Sequence, residues 1–202
     1  NFSKMNNFAV EHSTGDLLLF LNDDTKVRDN YWLDELVGIC LQKDVGVVGP
    51  KLIFSDDTVQ HAGMVFLKTG AGFHPTMKQE KNSDVYHNTI NVMKDCSAVT
   101  GACLLTKKKI FKQVGGFDNQ FDIYYGDSDL CLKIQDAGYR IVYTPFTELL
   151  HEGSTSISYW HFGALFFDVE NHQAFIKKWP KLSNGDPYYN PNLDWDYTLL
   201  TP

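Results

Sequence analysis

The sequence predicts an α/β fold, a sheet with helices packed on its faces. Three observations predict it. Short apolar runs of strand length recur along the chain, and segments with apolar residues at helical spacing lie between them. The third is size, because 202 residues that are 43% hydrophobic and 14% aromatic can bury one sizeable core. We expect one domain at residues 1–180, followed by a turn-rich tail at residues 181–202.

The first predicted unit is strand, helix, strand. Residues 16–21, which follow Gly15, form a continuous apolar run that is typical of a strand covered on both faces. Residues 29–43 place apolar side chains at helical spacing, and residues 45–50 have the pattern of the next strand. A βαβ unit is the simplest interpretation.

The middle of the chain predicts a hairpin, a loop and a strand–helix pair. Residues 52–66 contain two apolar segments around a polar turn, which is the pattern of a hairpin. The polar residues 68–91 predict a long loop. A strand is expected at residues 99–106, and a short helix at residues 107–114 before two glycines.

The last part of the predicted domain again alternates helix and strand. A helix is expected at residues 127–137, ended by Gly138, and a strand at residues 140–144, closed by Pro145. After it, aromatic residues at helical spacing within residues 160–179 predict a helix that packs over the sheet.

Composition excludes several functional classes. The net charge of −7 leaves no basic surface of the kind that nucleic acids need, so we expect no nucleic-acid partner. No apolar run reaches the ~18 residues of a membrane-spanning helix, and the first residues contain no apolar or basic leader, which predicts a soluble chain. The cysteines lack C-x-x-C spacing, which argues against structural zinc and favours buried free thiols in a reducing compartment: Cys40, Cys96, Cys103 and Cys131.

Asn22, Asp23 and Asp24 follow the first apolar strand. In open α/β sheets ligands bind outside the carboxyl ends of strands, and adjacent carboxylates suit a hard divalent ion that also contacts substrate phosphates. The alternative is that Asn and Asp only form a turn at the strand end, as they commonly do.

Asp127 opens the helix predicted at residues 127–137. An aspartate there could act as a general base, and the helix N-terminus is expected to lower its pKa and keep it ionised. The alternative is an ordinary helix cap, with Asp129 adding a favourable dipole interaction.

His151 follows an apolar pair at another predicted strand end. A neutral imidazole there could complete a metal site or bind a phosphate. The alternative is a structural histidine whose ring nitrogens are satisfied by the fold.

Taken together, these segments resemble the family 2 glycosyltransferases, in particular the bacterial rhamnosyltransferase-like branch that builds surface polysaccharide. Both the order and the spacing of the motifs match the family over most of the chain. The matching segments are Gly15–Thr25, Gln60–Gly63, Val99–Cys103, Gly115–Asp118, Asp127–Leu130 and Gly138–Pro145.

The resemblance implies a GT-A fold, a mixed sheet flanked by helices, and a transfer that inverts the anomeric centre of the sugar. It places Asn22, Asp23 and Asp24 at the D-x-D motif. The implied roles are as follows: Asp24, Asp23 and His151 bind Mg²⁺ or Mn²⁺, Asn22, Gly101 and Ala102 contact the donor, and Asp127 deprotonates the acceptor hydroxyl. These roles are chemically sufficient. The base activates the acceptor hydroxyl for in-line attack on the sugar carbon C1, and the metal neutralises the charge that grows on the departing diphosphate.

The substrates implied are a UDP-, dTDP- or GDP-linked sugar and a glycan or lipid-linked acceptor. The residues expected to contact the acceptor are Tyr124, Tyr125, Asp129 and Trp160, although Trp160 would serve equally well in the core. The implied location is the cytoplasm, and a lipid-linked acceptor allows peripheral association with the inner face of the membrane.

The chain departs from the family pattern in three ways. Asn22 stands at the first position of D-x-D, and Gly126 stands where many relatives have Glu, so weaker metal binding is expected. Family members have roughly two further βα units ahead of this point, which hold the nucleotide base, and we expect the chain to lack them. The absence of a Q-x-x-R-W motif near residues 158–161 argues against a processive synthase.

Two other functions remain open at this level. A non-catalytic glycan-binding or assembly module could use the same scaffold, and metal-dependent nucleotide binding would separate it from an enzyme. A metal-dependent phosphohydrolase ranks last, because it needs more clustered His and Asp ligands than the sequence offers.

Overall fold

A computed structural model describes residues 1–152, 169–190 and 192 of the chain. The helices are α1 (Phe2–His12), α2 (Trp32–Cys40), α3 (Val85–Asn88), α4 (Lys108–Gln113), α5 (Gly126–Asp136) and α6 (Val169–Lys178). The strands are β1 (Leu17–Leu21), β2 (Thr25–Val27), β3 (Val45–Ile53), β4 (Val59–His61), β5 (Val65–Phe66), β6 (Gly72–Phe73), β7 (Lys94–Asp95), β8 (Cys103–Lys107) and β9 (Arg140–His151). A 3-10 helix follows α6 at Pro180–Asn184.

The described strands form a mixed sheet, as the resemblance implies. Along its main path the order is β1-β8-β3-β9-β2, with β4 paired to β3 and β7 paired to β9. The β3–β9 pair is parallel, whereas the other pairs in this sheet are antiparallel. A second, two-stranded sheet joins β5 and β6 within the region predicted as a hairpin and long loop.

The strand, helix and strand of the first predicted unit are all present, but the two strands are not neighbours in the sheet. β1 and β3 run in the same direction, because each is antiparallel to β8, but β8 lies between them. A strand that comes later in the chain is thus inserted into the simple βαβ unit. Spacing within one segment could not reveal this insertion, since it depends on pairing over long sequence distances.

The predicted end of the last strand at Pro145 is wrong. β9 continues to His151, and the register shifts from Pro50 opposite Thr144 to Lys51 opposite Glu148. Residues 145–147 therefore leave the ladder as a bulge, which accommodates a proline that has no N–H to donate. Pairing resumes after the bulge and brings His151 opposite Thr25 of β2.

Apolar residues cover the sheet on both faces. One buried cluster contains residues from α1, α4, α5 and α6, and the other contains residues from α2. In β1, Leu18 and Phe20 belong to the first cluster, while Leu17 and Leu19 pack against the second, so the expected two-sided burial is confirmed. All the cysteines are buried and free, as predicted: Cys40, Cys96, Cys103 and Cys131.

The segment after β9 is described only in part. Of the predicted aromatic-rich helix, α6 belongs to the described residues, and Phe175 is fully buried in the core. Residues 153–168, and with them Trp160, lie outside the described residues. None of the described helices has both the length and the apolar character needed to cross a membrane.

The beginning of the predicted tail packs onto the same core. Leu182 and Tyr189 are buried, and a carboxylate oxygen of Asp186 accepts the backbone N–H of Phe66 at 2.6 Å. This contact joins the segment after α6 to β5. The domain boundary at residue 180 stays a prediction.

Candidate active site

The ends of β1 and β9 meet at one edge of the sheet. Residues 22–24 form the turn between β1 and β2, and β2 then pairs with the last residues of β9. The backbone N–H of Glu152 donates to the Asp24 carbonyl at 3.2 Å. This pairing places Oδ1 of Asp24 2.9 Å from Nε2 of His151, as expected for residues that share a site.

The other ring nitrogen of His151 faces a glutamine. Nδ1 of His151 makes a short hydrogen bond to Oε1 of Gln60, and Nε2 of Gln60 donates to the His151 carbonyl at 3.3 Å. Both side chains are nearly buried, at 8% exposure for His151 and 6% for Gln60. The sequence marked Gln60 only as part of the family resemblance, and gave it no role.

The Asp24–His151 pair offers two potential metal ligands. Oδ1 of Asp24 is buried and has no hydrogen-bond partner among the described residues. A carboxylate oxygen beside an imidazole nitrogen is a suitable donor set for Mn²⁺ or Mg²⁺. Within the described ranges no group of three or more His, Cys, Asp or Glu side chains could hold a metal, so phosphate and water would have to complete the shell.

The rest of the turn surrounds this pair. Nδ2 of Asn22 lies 3.4 Å from Nε2 of His151, and the backbone N–H of Asn22 donates to the Ala102 carbonyl at 2.9 Å. Asp23 is exposed on the same turn. The turn at residues 22–24 is therefore tied to the segment just before β8.

Asp127 reaches the same segment from the first turn of α5. Its Oδ2 accepts the Gly101 N–H at 2.8 Å, and its Oδ1 accepts the Ser128 N–H at 2.7 Å. Tyr125 is the N-cap residue of α5, and it makes no side-chain capping bond, so Asp127 is not the helix cap that we considered as an alternative.

The expected pKa of Asp127 is wrong in direction. Burial of the carboxyl group raises its pKa above the usual value, and the hydrogen bonds from Gly101 and Ser128 offset this only in part. The position on α5 predicted a lowered pKa because the first turn of a helix favours a negative charge. Removal from water is the larger effect here.

Gly101 and Ala102 connect the two halves of the site. Ala102 contacts Asn22 through its carbonyl, and Gly101 contacts Asp127 through its N–H. A Cβ at Gly101 would lie 3.1 Å from the ring of Phe2 and 3.5 Å from Cβ of Asp127. A larger residue at this position would therefore have to displace the Phe2 ring by a few tenths of an ångström, and sequence reasoning missed this contact with α1.

The predicted acceptor residues differ in their surroundings. Tyr125 adopts a left-handed conformation with φ of 67°, stacks on Phe175 at 4.7 Å between ring centroids, and its hydroxyl lies 2.9 Å from Nδ1 of His172. Tyr124 is half-buried beside it. Contact of either tyrosine with an acceptor stays a prediction, and Trp160 lies outside the described residues.

The prediction that Asp129 binds an acceptor is wrong. Asp129 is fully buried, and its carboxylate lies 2.7 Å from Nζ of Lys178 and 3.0 Å from Nζ of Lys133. The indole N–H of Trp179 also donates to it at 3.0 Å. The carboxylate of Asp129 joins α5 to α6 and is not offered to a ligand.

Comparison with known protein families identifies the family of this chain. A family model described as "Glycosyl transferase family group 2" matches residues 17–185, which include every motif of the site except Phe2. The chain belongs to the family 2 glycosyltransferases. Its mixed sheet with flanking helices is the GT-A fold.

The chain is similar to parts of much longer proteins. It is 37% identical over 205 residues to the O-antigen biosynthesis protein RfbC of Myxococcus xanthus, covering 96% of the chain and 15% of that protein. It is 35% identical over 207 residues to the uncharacterized protein y4gI of Sinorhizobium fredii, covering 100% of the chain and 23% of that protein. The chain thus spans less than a quarter of either relative.

Two solved structures share the fold of this glycosyltransferase chain. GalNAc-T7 with UDP, GalNAc and Mn²⁺ superposes with a TM-score of 0.57 at 16% identity, over 75% of this chain and 30% of that one. The mannosyltransferase PcManGT of Pyrobaculum calidifontis, in complex with GDP-Man and Mn²⁺, superposes with a TM-score of 0.54 at 15% identity, over 98% of this chain and 46% of that one.

Proposed function

We propose that the chain is the catalytic part of an inverting, metal-assisted glycosyltransferase. The observation that supports the proposal is a chain of contacts. Asn22 lies beside the Asp24–His151 pair and donates to Ala102, and the adjacent Gly101 donates to Asp127. One end of this site offers metal ligands and the other offers a carboxylate base. These are the two components that an inverting transfer from a nucleotide-diphosphate sugar requires.

Asp24 and His151 would hold the metal. Asp23 is exposed on the same turn and is not grouped with this pair among the described residues, so its contact with the metal stays a prediction. The fit rests on the buried Asp24 oxygen that lacks a hydrogen-bond partner and on the imidazole nitrogen beside it. When bound, Mg²⁺ or Mn²⁺ would neutralise negative charge on the diphosphate of the donor. Asn22 and Ala102, which are joined by a backbone hydrogen bond, would contact the donor between this pair and Asp127.

Asp127 would accept the proton of the acceptor hydroxyl. A raised pKa suits this role, because a base works best when its pKa is close to the operating pH. The backbone N–H groups of Gly101 and Ser128 orient the carboxylate. The neighbouring carboxylate of Asp129 is neutralised by lysines, so one base acts alone, as a single inverting displacement requires.

The similar proteins support a proposal for the class of donor and acceptor. We infer a UDP-, dTDP- or GDP-linked sugar as donor, since the two structural neighbours bind UDP and GDP-Man. A relative of Mycobacterium tuberculosis, 41% identical over 58 residues that make up 29% of this chain, is an N-acetylglucosaminyl-diphospho-decaprenol L-rhamnosyltransferase. Together with RfbC it supports a glycan or lipid-linked acceptor and a role in surface polysaccharide synthesis. The location that we propose is the cytoplasm, where a lipid-linked acceptor allows peripheral association with the inner face of the membrane.

Calorimetry tests the proposal. UDP-, dTDP- and GDP-sugars are titrated into the chain with and without Mn²⁺, and the titrations are repeated with Asp24→Ala and with Asp34→Ala, an exposed aspartate on α2. We expect metal-dependent binding that Asp24→Ala removes and Asp34→Ala retains. Binding that does not depend on the metal, or that is unchanged in Asp24→Ala, would contradict the proposal and favour a glycan-binding or assembly module.

A further inference from the structure

We propose that Gln60 is a positioning residue that fixes the tautomer of His151, so that Nε2 carries the lone pair that faces Asp24. The inference rests on the proposed metal role of Asp24 and His151, and it assigns a function to the Gln60–Gly63 segment that the proposed function leaves unused. It depends on two hydrogen bonds made by one buried amide group.

The amide of Gln60 has a defined orientation. Its nitrogen must donate, and it lies 3.3 Å from the carbonyl oxygen of His151, which can only accept. The amide oxygen is therefore the atom that faces Nδ1 of the same histidine. Because a carbonyl oxygen can only accept, Nδ1 of His151 carries the hydrogen and donates it.

This hydrogen bond determines the state of the opposite ring nitrogen. A neutral imidazole with its hydrogen on Nδ1 has a lone pair on Nε2. Nε2 lies 3.4 Å from the amide nitrogen of Asn22, which can donate to it, and 2.9 Å from Oδ1 of Asp24, which cannot. Two electron-rich atoms at the second distance repel each other unless a cation lies between them, either a proton on Nε2 or a metal ion bound to both. A ring held with its hydrogen on Nδ1 leaves this position open to the metal.

The sheet holds the backbone on either side of Gln60 and His151. Gln60 is the bulge residue of β4, whose neighbours Val59 and His61 pair with the end of β3, and the same end of β3 pairs with Leu150, the residue before His151. His61 contacts a different partner, with Nδ1 3.1 Å from Nδ1 of His74. Outer hydrogen-bond partners of this kind hold metal-binding histidines in one tautomer and orientation.

The first measurement needs no metal. In the metal-free chain, at a pH at which the His151 ring is neutral, ¹⁵N chemical shifts of the ring should show hydrogen on Nδ1 and a lone pair on Nε2. Gln60→Met keeps the length of the side chain and removes the acceptor, so the ring should lose its preference for this tautomer. A wild-type ring with hydrogen on Nε2, or the same ring shifts in Gln60→Met, would overturn the inference.

The second measurement is affinity for Mn²⁺ in the presence of UDP. We expect Gln60→Met to weaken Mn²⁺ binding by about tenfold or more, as loss of an outer-shell partner does elsewhere. The matched control is Gln135→Met, because Gln135 also donates its amide to a backbone carbonyl, that of Cys96 at 3.0 Å, but lies on α5 away from the pair. The ring shifts of His61 and His74 report whether each variant is folded.

The outcomes separate this inference from the proposed function. Unchanged Mn²⁺ affinity in folded Gln60→Met, together with binding that Asp24→Ala removes, would overturn the role of Gln60 and leave the transferase proposal intact. A wild-type chain that binds no Mn²⁺ with any nucleotide would overturn both. Weaker binding in Gln60→Met but not in Gln135→Met, with the tautomer change, supports the inference.

Discussion

The first turn of α5 contains two aspartates, two residues apart, whose surroundings are opposite. Asp129 is fully buried against two lysines and an indole N–H that compensate its charge. Within the described part of the chain, Asp127 accepts hydrogen bonds from N–H and O–H groups and pairs with no cation, and burial raises its pKa. Within the described residues, the fold thus compensates the charge of Asp129 with two lysines, whereas it provides no cation to Asp127, the proposed base.

Replacing Asp127 should have the largest effect on activity. We expect Asp127→Asn to reduce the transfer rate by roughly 100- to 10,000-fold, which is the contribution of a general base. The unfolding free energy should stay the same or increase at neutral pH, because the raised pKa means that ionised Asp127 costs the folded state stability above that pKa. Full transfer activity in this variant would remove Asp127 from the mechanism.

Replacing Asp129 should have the converse effect. Asp129→Asn leaves Lys133 and Lys178 facing an uncharged group in the core, and we expect a loss of about 3 kcal/mol of unfolding free energy in urea. The control is Asp136→Asn on the same helix, whose exposed ion pair with Lys181 should contribute less than about 1 kcal/mol. If the two variants have equal stability, the contrast between the aspartates is wrong.

Gly101→Ala tests the close approach of Asp127. The added methyl would meet the Phe2 ring at 3.1 Å and should displace the Gly101 N–H from Asp127, so we expect about a tenfold loss of transfer rate and a loss of roughly 1 kcal/mol of stability. Gly38→Ala in α2 is the control, because nothing lies within 4 Å of its Cβ, and it should be neutral or stabilising. Addition of Phe2→Ala should restore part of the lost rate, and no recovery would show that Phe2 isn't the obstacle.

The pH dependence of the transfer rate also tests the role of Asp127. The rate should fall on the acid side with a pKa above the ordinary aspartate value, because transfer needs ionised Asp127 and burial raises that pKa. Residual activity of Asp127→Asn should lack this acid limb. An acid limb that persists unchanged in the variant would assign it to another group.

A smaller pH effect is expected on stability from His61 and His74. Burial lowers the pKa of His61 well below its usual range, to which neighbouring His74 and Lys94 also contribute, and burial lowers that of His74 to about 4. Both rings are neutral when folded, so the unfolding free energy should decrease below pH ~6.5 by up to about 1.4 kcal/mol per pH unit for each histidine, and the His74 part should level off near its folded pKa. His74→Gln should flatten this slope, and substitution of the exposed His12 should not.

Local signals in the sequence predicted the end of β1 and the polar residues that follow it. Asn22, Asp24 and His151 stand after apolar runs, which is a local signal, and the structure brings them together at one sheet edge. The contribution of Gln60 wasn't visible, because it depends on a ladder that joins β4 to β9 through β3. The Pro145 bulge and the burial of Asp129 were missed for the same reason, since each is decided by residues far away in the chain.

The central claim is that the ends of β1 and β9 form one metal and nucleotide site next to Asp127. Paramagnetic broadening tests it most directly, because Mn²⁺ broadens amide signals according to their distance from the ion. With UDP and a small amount of Mn²⁺, the amides of Asp24 and His151 should broaden first and that of Gly38 should not, and Asp24→Ala should abolish the effect. Broadening centred elsewhere, or unchanged in Asp24→Ala, would contradict the account.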